Sequence, residues 1–236
     1  MKIRAIVQAI GYSLLRDYSI RKAFFFVGEG ANGKSTTIRL VERFIGKENI
    51  AHVALQDLDN NRFAAAELHG KLLNTYADLP ARAWKETGKF KILTGRDMLR
   101  GEHKFKNGFS FENYAKMFIS ANRLPLVSDD TKAFFDRVLI LTFPNVFEGE
   151  RADPRIIEKI ATPEELSGLL NAALIGLRWV LNDMEFVTGK PAEETRLDYV
   201  RKSDPVAAFA IDCLEYDANN AQPKEEVYQA FIEYCK

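Results

Sequence analysis

The sequence predicts an α/β protein: a parallel sheet with helices on both faces, followed by a helical C-terminal region. Three observations carry that prediction. Short apolar runs alternate with helical stretches along the first 144 of 236 residues. One of them, Ala23–Val27, is apolar at every position, as a strand buried on both faces requires. That run ends in a glycine-rich loop leading straight into a helix, the connection by which such sheets gather ligands beyond their carboxyl edge.

Ile3, Ile6, Val7 and Ile10 recur at helical spacing, and Gly11 is expected to end that first helix. After the strand and loop, Thr36–Phe44 reads as a helix with Gly46 beyond its end. Three further runs, Leu72–Ala77, Met117–Ala121 and Val138–Phe143, read as strands, with a helical stretch at Arg62–Leu68 closed by Gly70. From Pro163 onward, Leu166, Leu169, Leu170, Ala173, Leu174 and Leu177 fall on one helical face. Asp204–Pro205 is an N-cap with proline at the first helical position, and Val206, Phe209, Cys213 and Leu214 form the expected buried stripe. One more short helix is expected around Val227–Tyr234.

Lys+Arg and Asp+Glu both number 33, so the formal net charge is zero. A protein coating nucleic acid over its whole surface would be more basic, which confines any such contact to a loop or channel. The two cysteines, Cys213 and Cys235, form no CxxC pair, and His52, His69 and His103 are scattered, so neither a disulfide nor a zinc site is expected. No apolar run approaches the roughly 20 residues of a membrane helix, and no signal peptide is read at the N-terminus. A cytoplasmic location follows as the expectation.

The stretch Gly28–Glu29–Gly30–Ala31–Asn32–Gly33–Lys34–Ser35 satisfies G-x-x-x-x-G-K-[ST]. Its glycines permit positive φ and expose successive amides to phosphate oxygens, and the following helix points its free N–H groups and dipole at the same anion. Lys34 supplies a charge for the β- and γ-phosphates, Ser35 a hydroxyl for Mg²⁺, and Thr36 completes the loop. ATP with magnesium is the expected ligand.

Hydrolysis also needs a carboxylate to support the metal shell and activate water. Asp78 closes the run that begins at Leu72; its alternative is a solvated turn residue before Pro80. Asn122 closes the next strand, where an amide can bond the attacking water or the γ-phosphate, or simply form a turn. Arg137 opens the strand after it and can neutralise charge on a γ-phosphate; an ion pair with Asp136 or Asp130 is the alternative.

These landmarks, "GEGANGKST", "KLLNTYADLP", "KILTGRD", "FISANRLP" and "TKAFFDRVLILTFP", resemble a superfamily 3 helicase of the AAA+ class. The likeness is to the helicase half of poxvirus-type primase–helicases of phages, plasmids and archaeal mobile elements, and runs from about Gly11 to Pro144. It implies an ATP-driven motor in which Asp78 takes the Walker B role, Asn122 the sensor role, and Arg137 acts across a subunit boundary. A lone Asp78 after Ala77 departs from relatives with paired acids; Asp97 and Glu86 are the nearest helpers.

The resemblance also implies a hairpin at about 91–111 projecting into a central pore. There, Lys104–Phe105–Lys106–Asn107–Gly108–Phe109 carries an Asn-Gly turn signal, with His103, Lys104 and Lys106 near the tip to grip a DNA backbone and, between them, Phe105 and Phe109 as aromatics able to stack a base. The expected partners are single-stranded DNA, further copies of the chain in a hexameric ring, and a primase domain or protein. A DNA-packaging motor and an ATP-switch assembly module are the alternatives. The expected organisation is a lead-in over 1–22, an ATPase core over 23–144, a helical appendix over 145–203, and the truncated start of a winged-helix module over 204–236.

Overall fold

A computed structural model describes residues 2–77, 79–80, 84 and 87–235. In chain order the elements are α1 (Lys2–Ser13), β1 (Ala23–Val27), α2 (Lys34–Ile45), β2 (Ile50–Ala51), α3 (Leu55–Asn60), β3 (Leu73–Tyr76), α4 (Gly88–Leu93), β4 (Met98–Gly101), β5 (Phe109–Glu112) and β6 (Lys116–Ala121). Next come α5 (Lys132–Phe135), β7 (Val138–Thr142), α6 (Ile156–Ile160), α7 (Pro163–Asp183), α8 (Ala192–Ser203), α9 (Pro205–Cys213) and α10 (Lys224–Tyr234). Among these, no helix is long and apolar enough to cross a membrane.

Five strands form one parallel sheet in the order β2–β3–β6–β1–β7, and β4 and β5 form a separate antiparallel pair. The α/β class with helices on both faces is as the sequence predicts, and the alternation within β1 shows why. Ala23, Phe25 and Val27 enter one core with Met117, Ile119, Phe90 and Tyr199. Phe24 and Phe26 enter the other with Phe118, Leu139, Ile38 and Val41. Each buried phenylalanine contributes about 1.5–3 kcal/mol relative to exposure, so β1 anchors both layers. Because all strands run the same way, Val27, Tyr76, Ala121 and Thr142 end at one edge of the sheet.

Gly11 does not end α1, which continues to Ser13. It lies where α1 crosses α7: a Cβ added there would sit 2.1 Å from the Ala173 carbonyl oxygen. Gly176 is its counterpart, with a Cβ only 2.9 Å from the Val7 carbonyl oxygen. The two backbones meet through small residues, so the lead-in and the appendix pack on each other over the same sheet face. This contact also turns α7. Its fully buried residues are Ala173, Gly176 and Val180, while Leu170 and Leu174 of the expected face are exposed.

The Asp204–Pro205 start of α9 is as expected: the Asp204 carboxylate accepts from the amides of Val206 and Ala207. The expected stripe is not. Phe209 is buried beside Ala208, with Phe231 and Tyr234 of α10 edge-on to its ring, but Val206, Cys213 and Leu214 are exposed. Two short helices packed on one aromatic bury one residue well and leave the flanking positions to solvent. The Arg62–Leu68 segment tightens to a 3₁₀ turn over Ala64–Leu68, with Gly70 at φ 78° behind it.

Candidate functional site

The loop between β1 and α2 closes on itself around Lys34. Gly33 sits at φ 85° as the N-cap of α2, and Ala31 at φ 53°. The positive φ that the motif needs is thus supplied at positions 31 and 33, not at Gly30. Lys34 is buried, and its Nζ donates to the carbonyl oxygens of Gly28 and Glu29 and to Asn32 Oδ1 at 3.0 Å. Asn32 is itself buried and ties the loop to the end of β7, its Nδ2 donating to the Phe143 carbonyl oxygen at 3.1 Å.

A cation at the first turn of α2 opposes the helix dipole, an opposition that a bound anion would offset. The amides of the same turn point toward that anion's position. Thr37 Oγ1 donates back to the Gly33 carbonyl, whereas Ser35 is exposed and its hydroxyl makes no hydrogen bond among the described residues. An exposed hydroxyl is chemically able to ligate a hard cation. A cleft of about 890 Å³ opens over Gly30–Thr37, walled by Ala77, Ser120, Asn122, Phe143 and Phe147.

Asn122 joins this group: its Oδ1 accepts from Lys34 Nζ at 3.3 Å. Asp78 lies outside the described residues, as does Glu86. Its neighbours run alongside the site, since Ala77 lines the cleft and the Leu79 amide donates to the Ser120 carbonyl at 2.8 Å. Asp97 is not a helper at this edge. It lies before β4 and acts electrostatically on Arg137, at the opposite end of the sheet.

Arg137 is the residue the fold separates from the loop. Ala23 pairs with Val138, and the Ala23 amide donates to the Arg137 carbonyl at 2.7 Å, so Arg137 lies at the amino edge of the sheet. The five residues of β1 put about 16 Å between that edge and the glycine loop. Its guanidinium donates to the Ala133 carbonyl, and Asp136 pairs with Lys132 at 2.7 Å instead, so neither aspartate forms an ion pair with it. Its Nε is buried with no hydrogen-bond partner among the described residues. Burial and the nearby Arg21 lower its pKa.

The hairpin is shorter than the sequence suggests. It spans residues 98–112, with Gly101 paired to Phe109; Lys91 is in α4 and pairs with Asp129 at 2.8 Å. Asn107–Gly108 does not form a tight two-residue turn, because seven residues separate the strands. The chain reverses instead at His103–Lys106, where the Lys106 amide donates to the His103 carbonyl at 3.0 Å and Phe105 adopts φ 63°. His103 stacks on Phe109, its ring centroid 5.4 Å away, while Lys104 and Lys106 are exposed and Phe105 is 94% exposed at the tip.

The chain is similar to two viral proteins. A protein of Invertebrate iridescent virus 3, named "Putative helicase 121R", is 29% identical over 143 residues, 56% of this chain and 15% of the relative. "Putative helicase 022R" of Frog virus 3 is 20% identical over 232 residues, 89% of this chain and 24% of the relative. The chain is thus similar in sequence to viral proteins named as putative helicases. A family model described as a family of unknown function, DUF5906, matches residues 26–137 of this chain. Its fold is that of the NrS-1 C-terminal region, with a TM-score of 0.59 at 16% identity, covering 98% of this chain and 57% of that one. The chain spans about a quarter or less of the viral relatives' length.

Within it, two glycines of the loop have different duties. A Cβ on Gly28 would stand 2.4 Å from Asn32 Nδ2 and 2.4 Å from the Phe143 carbonyl oxygen; on Gly30 it would meet nothing within 4 Å. Gly28→Ala is expected to displace Asn32 and destabilise the domain by about 1–3 kcal/mol, and Gly30→Ala by no more than about 0.5 kcal/mol. Paired thermal melts check this; equal melting temperatures would contradict the account. Sequence reasoning treated Asn32 as one more loop residue and missed its bracing role, which depends on a carbonyl 111 positions away.

Proposed function

We propose that this chain is the ATP-driven motor of a DNA helicase that replicates a viral, phage or plasmid-like element, working as a ring on single-stranded DNA. The observation that carries the reading is the division of the site. Lys34 and Asn122 meet at the carboxyl edge of the sheet, and Arg137 lies about 16 Å away at the amino edge. An arginine so placed cannot reach a nucleotide on its own loop, but head-to-tail copies would bring it to a neighbour's, the repeated contact that closes a ring.

In this reading the loop amides of residues 28–36 and Lys34 hold the β- and γ-phosphates. Asn122, already in contact with Lys34, orients the attacking water. Arg137 of the adjacent copy meets charge developing on the γ-phosphate. Mg²⁺, held by Ser35 and Asp78, would neutralise charge on the phosphate oxygens. Catalysis is positioning and charge stabilisation, with phosphoryl transfer to water.

The hairpin supplies the grip on DNA. Lys104 and Lys106 flank an exposed Phe105 on a domain of zero net charge, so copies of the tip would concentrate positive charge and a stacking face inside a ring. The test is Lys104→Ala with Lys106→Ala. Unwinding and stimulation of ATP turnover by single-stranded DNA are expected to fall at least about tenfold, while DNA-free turnover stays within about twofold. Undiminished unwinding would remove the hairpin from the mechanism and favour another kind of P-loop motor.

A further inference from the structure

We propose that Tyr199 is a positioning residue that links Asn122 of one nucleotide site to the Arg137 presented to the next. The inference rests on the shared-site reading above and adds a connection between its two halves. Tyr199 lies on α8, fully buried, and touches both. Its hydroxyl donates to the Pro125 carbonyl at 3.0 Å, three residues past Asn122. One turn further along α8, the Lys202 carbonyl accepts from the Leu124 amide at 3.1 Å. Two hydrogen bonds therefore tie the loop after β6 to the last turn of a single helix.

The ring faces the other half. Phe134 and Phe135 of α5 both meet it edge-on, with centroids 5.8 Å away and interplanar angles of 79° and 71°. Arg137 follows directly, its amide donating to the Phe134 carbonyl at 3.0 Å and its guanidinium to the Ala133 carbonyl. Arg137 thus takes its place from the turn that Tyr199 packs against. Interiors of this density transmit small displacements rather than absorb them. A shift of the Asn122 loop on meeting or losing a γ-phosphate passes through one phenol to the segment that carries the arginine.

The chemistry suits a permanent link. A phenol buried among aromatic rings is unfavourable unless it is hydrogen-bonded, which commits the hydroxyl to Pro125. Burial raises its pKa, so it remains a protonated donor throughout the working pH range.

The test is a pair of double-mutant cycles on ATP turnover by the full chain: Tyr199→Phe with Asn122→Ala, and Tyr199→Phe with Arg137→Ala. Tyr199→Phe keeps the ring and removes the bond. It is expected to lower kcat about tenfold with KM for ATP within about twofold, a split that general loosening of the fold would not give. In either alanine background its effect should shrink to about twofold. Full additivity in either cycle, or an unchanged kcat, overturns the link. If Arg137→Ala alone turns over ATP like the unmodified chain, the shared-site reading falls and the link with it. An impaired Arg137→Ala with additive cycles removes only the link. Should Tyr199→Phe not fold, Phe135→Leu loosens the other side of the connection, and its additivity with Arg137→Ala overturns the proposal in the same way.

Discussion

Lys34→Ala is expected to reduce ATP turnover at least about 100-fold while leaving the melting temperature within about 4 °C. The two halves of that expectation have separate causes. Lys34 Nζ occupies the place where loop carbonyls, Asn32 and Asn122 converge, so it is the one charge the loop offers to a phosphate. For the fold alone, a buried cation at the start of α2 faces the positive end of the helix, and removing it relieves that repulsion as it frees the carbonyls to water in the cleft. A loss of turnover matched by a large loss of melting temperature would mean that Lys34 is structural.

The same variant tests the division of the site. Arg137→Ala is expected to be strongly impaired, with measurable residual turnover, for the opposite reason, because its own loop is intact and its neighbour's is not served. Mixing the two impaired chains leaves some interfaces with an intact loop from one copy and an intact arginine from the other. Random assortment at equal amounts makes about a quarter of interfaces competent, and turnover should recover toward that fraction. Turnover measured on the mixture, with ring formation followed by size, decides the matter. No recovery in mixed rings would argue that Arg137 does not serve a neighbouring loop.

The second large effect is on stability. Gly11→Ala is expected to destabilise the domain by about 3 kcal/mol, the upper end for overpacking, since the obstructing atom is a backbone carbonyl and not a side chain that can turn away. For a domain of this size that corresponds to a fall of about 6–12 °C in melting temperature. Gly168→Ala, on the same α7 with nothing within 4 Å of its Cβ, is the matched control and should be neutral or slightly stabilising. Equal melting temperatures for the two variants would show that the crossing of α1 and α7 is looser than its geometry indicates.

Much of the architecture was legible because its causes are local. The unbroken apolar run of β1, the glycines of the loop, the Gly46 end of α2 and the Asp204–Pro205 start of α9 each follow from the conformational preferences of a few adjacent residues. The candidate site was legible to the same extent. Lys34 was expected from the glycine-rich motif and Asn122 from a strand end, and the parallel sheet brings them within 3.3 Å. Asp78 rests on sequence reasoning alone, since it lies outside the described residues.

Where expectation and structure part, the cause is a partner far away in the chain. Gly11 reads as a helix end because glycine usually is one; its role depends on Ala173. Lys116, outside the expected strand Met117–Ala121, is the first residue of β6 and is buried, its Nζ donating to the Leu15 and Tyr114 carbonyls at 2.8 Å each and lying over the rings of Tyr12 and Tyr18. The hairpin tip moved from Asn107–Gly108 to His103–Lys106 because the pairing of Gly101 with Phe109 fixes the loop length before the turn residues can choose it.

By itself, then, the sequence determined the α/β class, the phosphate loop and the positions of its polar neighbours, all set by propensities that act within a turn or a strand. Tertiary structure alone decided that α1 and α7 meet backbone to backbone, that Tyr199 stands between the loop after β6 and the rings of α5, and that Arg137 lies at the far edge from Lys34. These depend on strand direction, register and helix rotation, which arise only when distant segments compete for the same buried face.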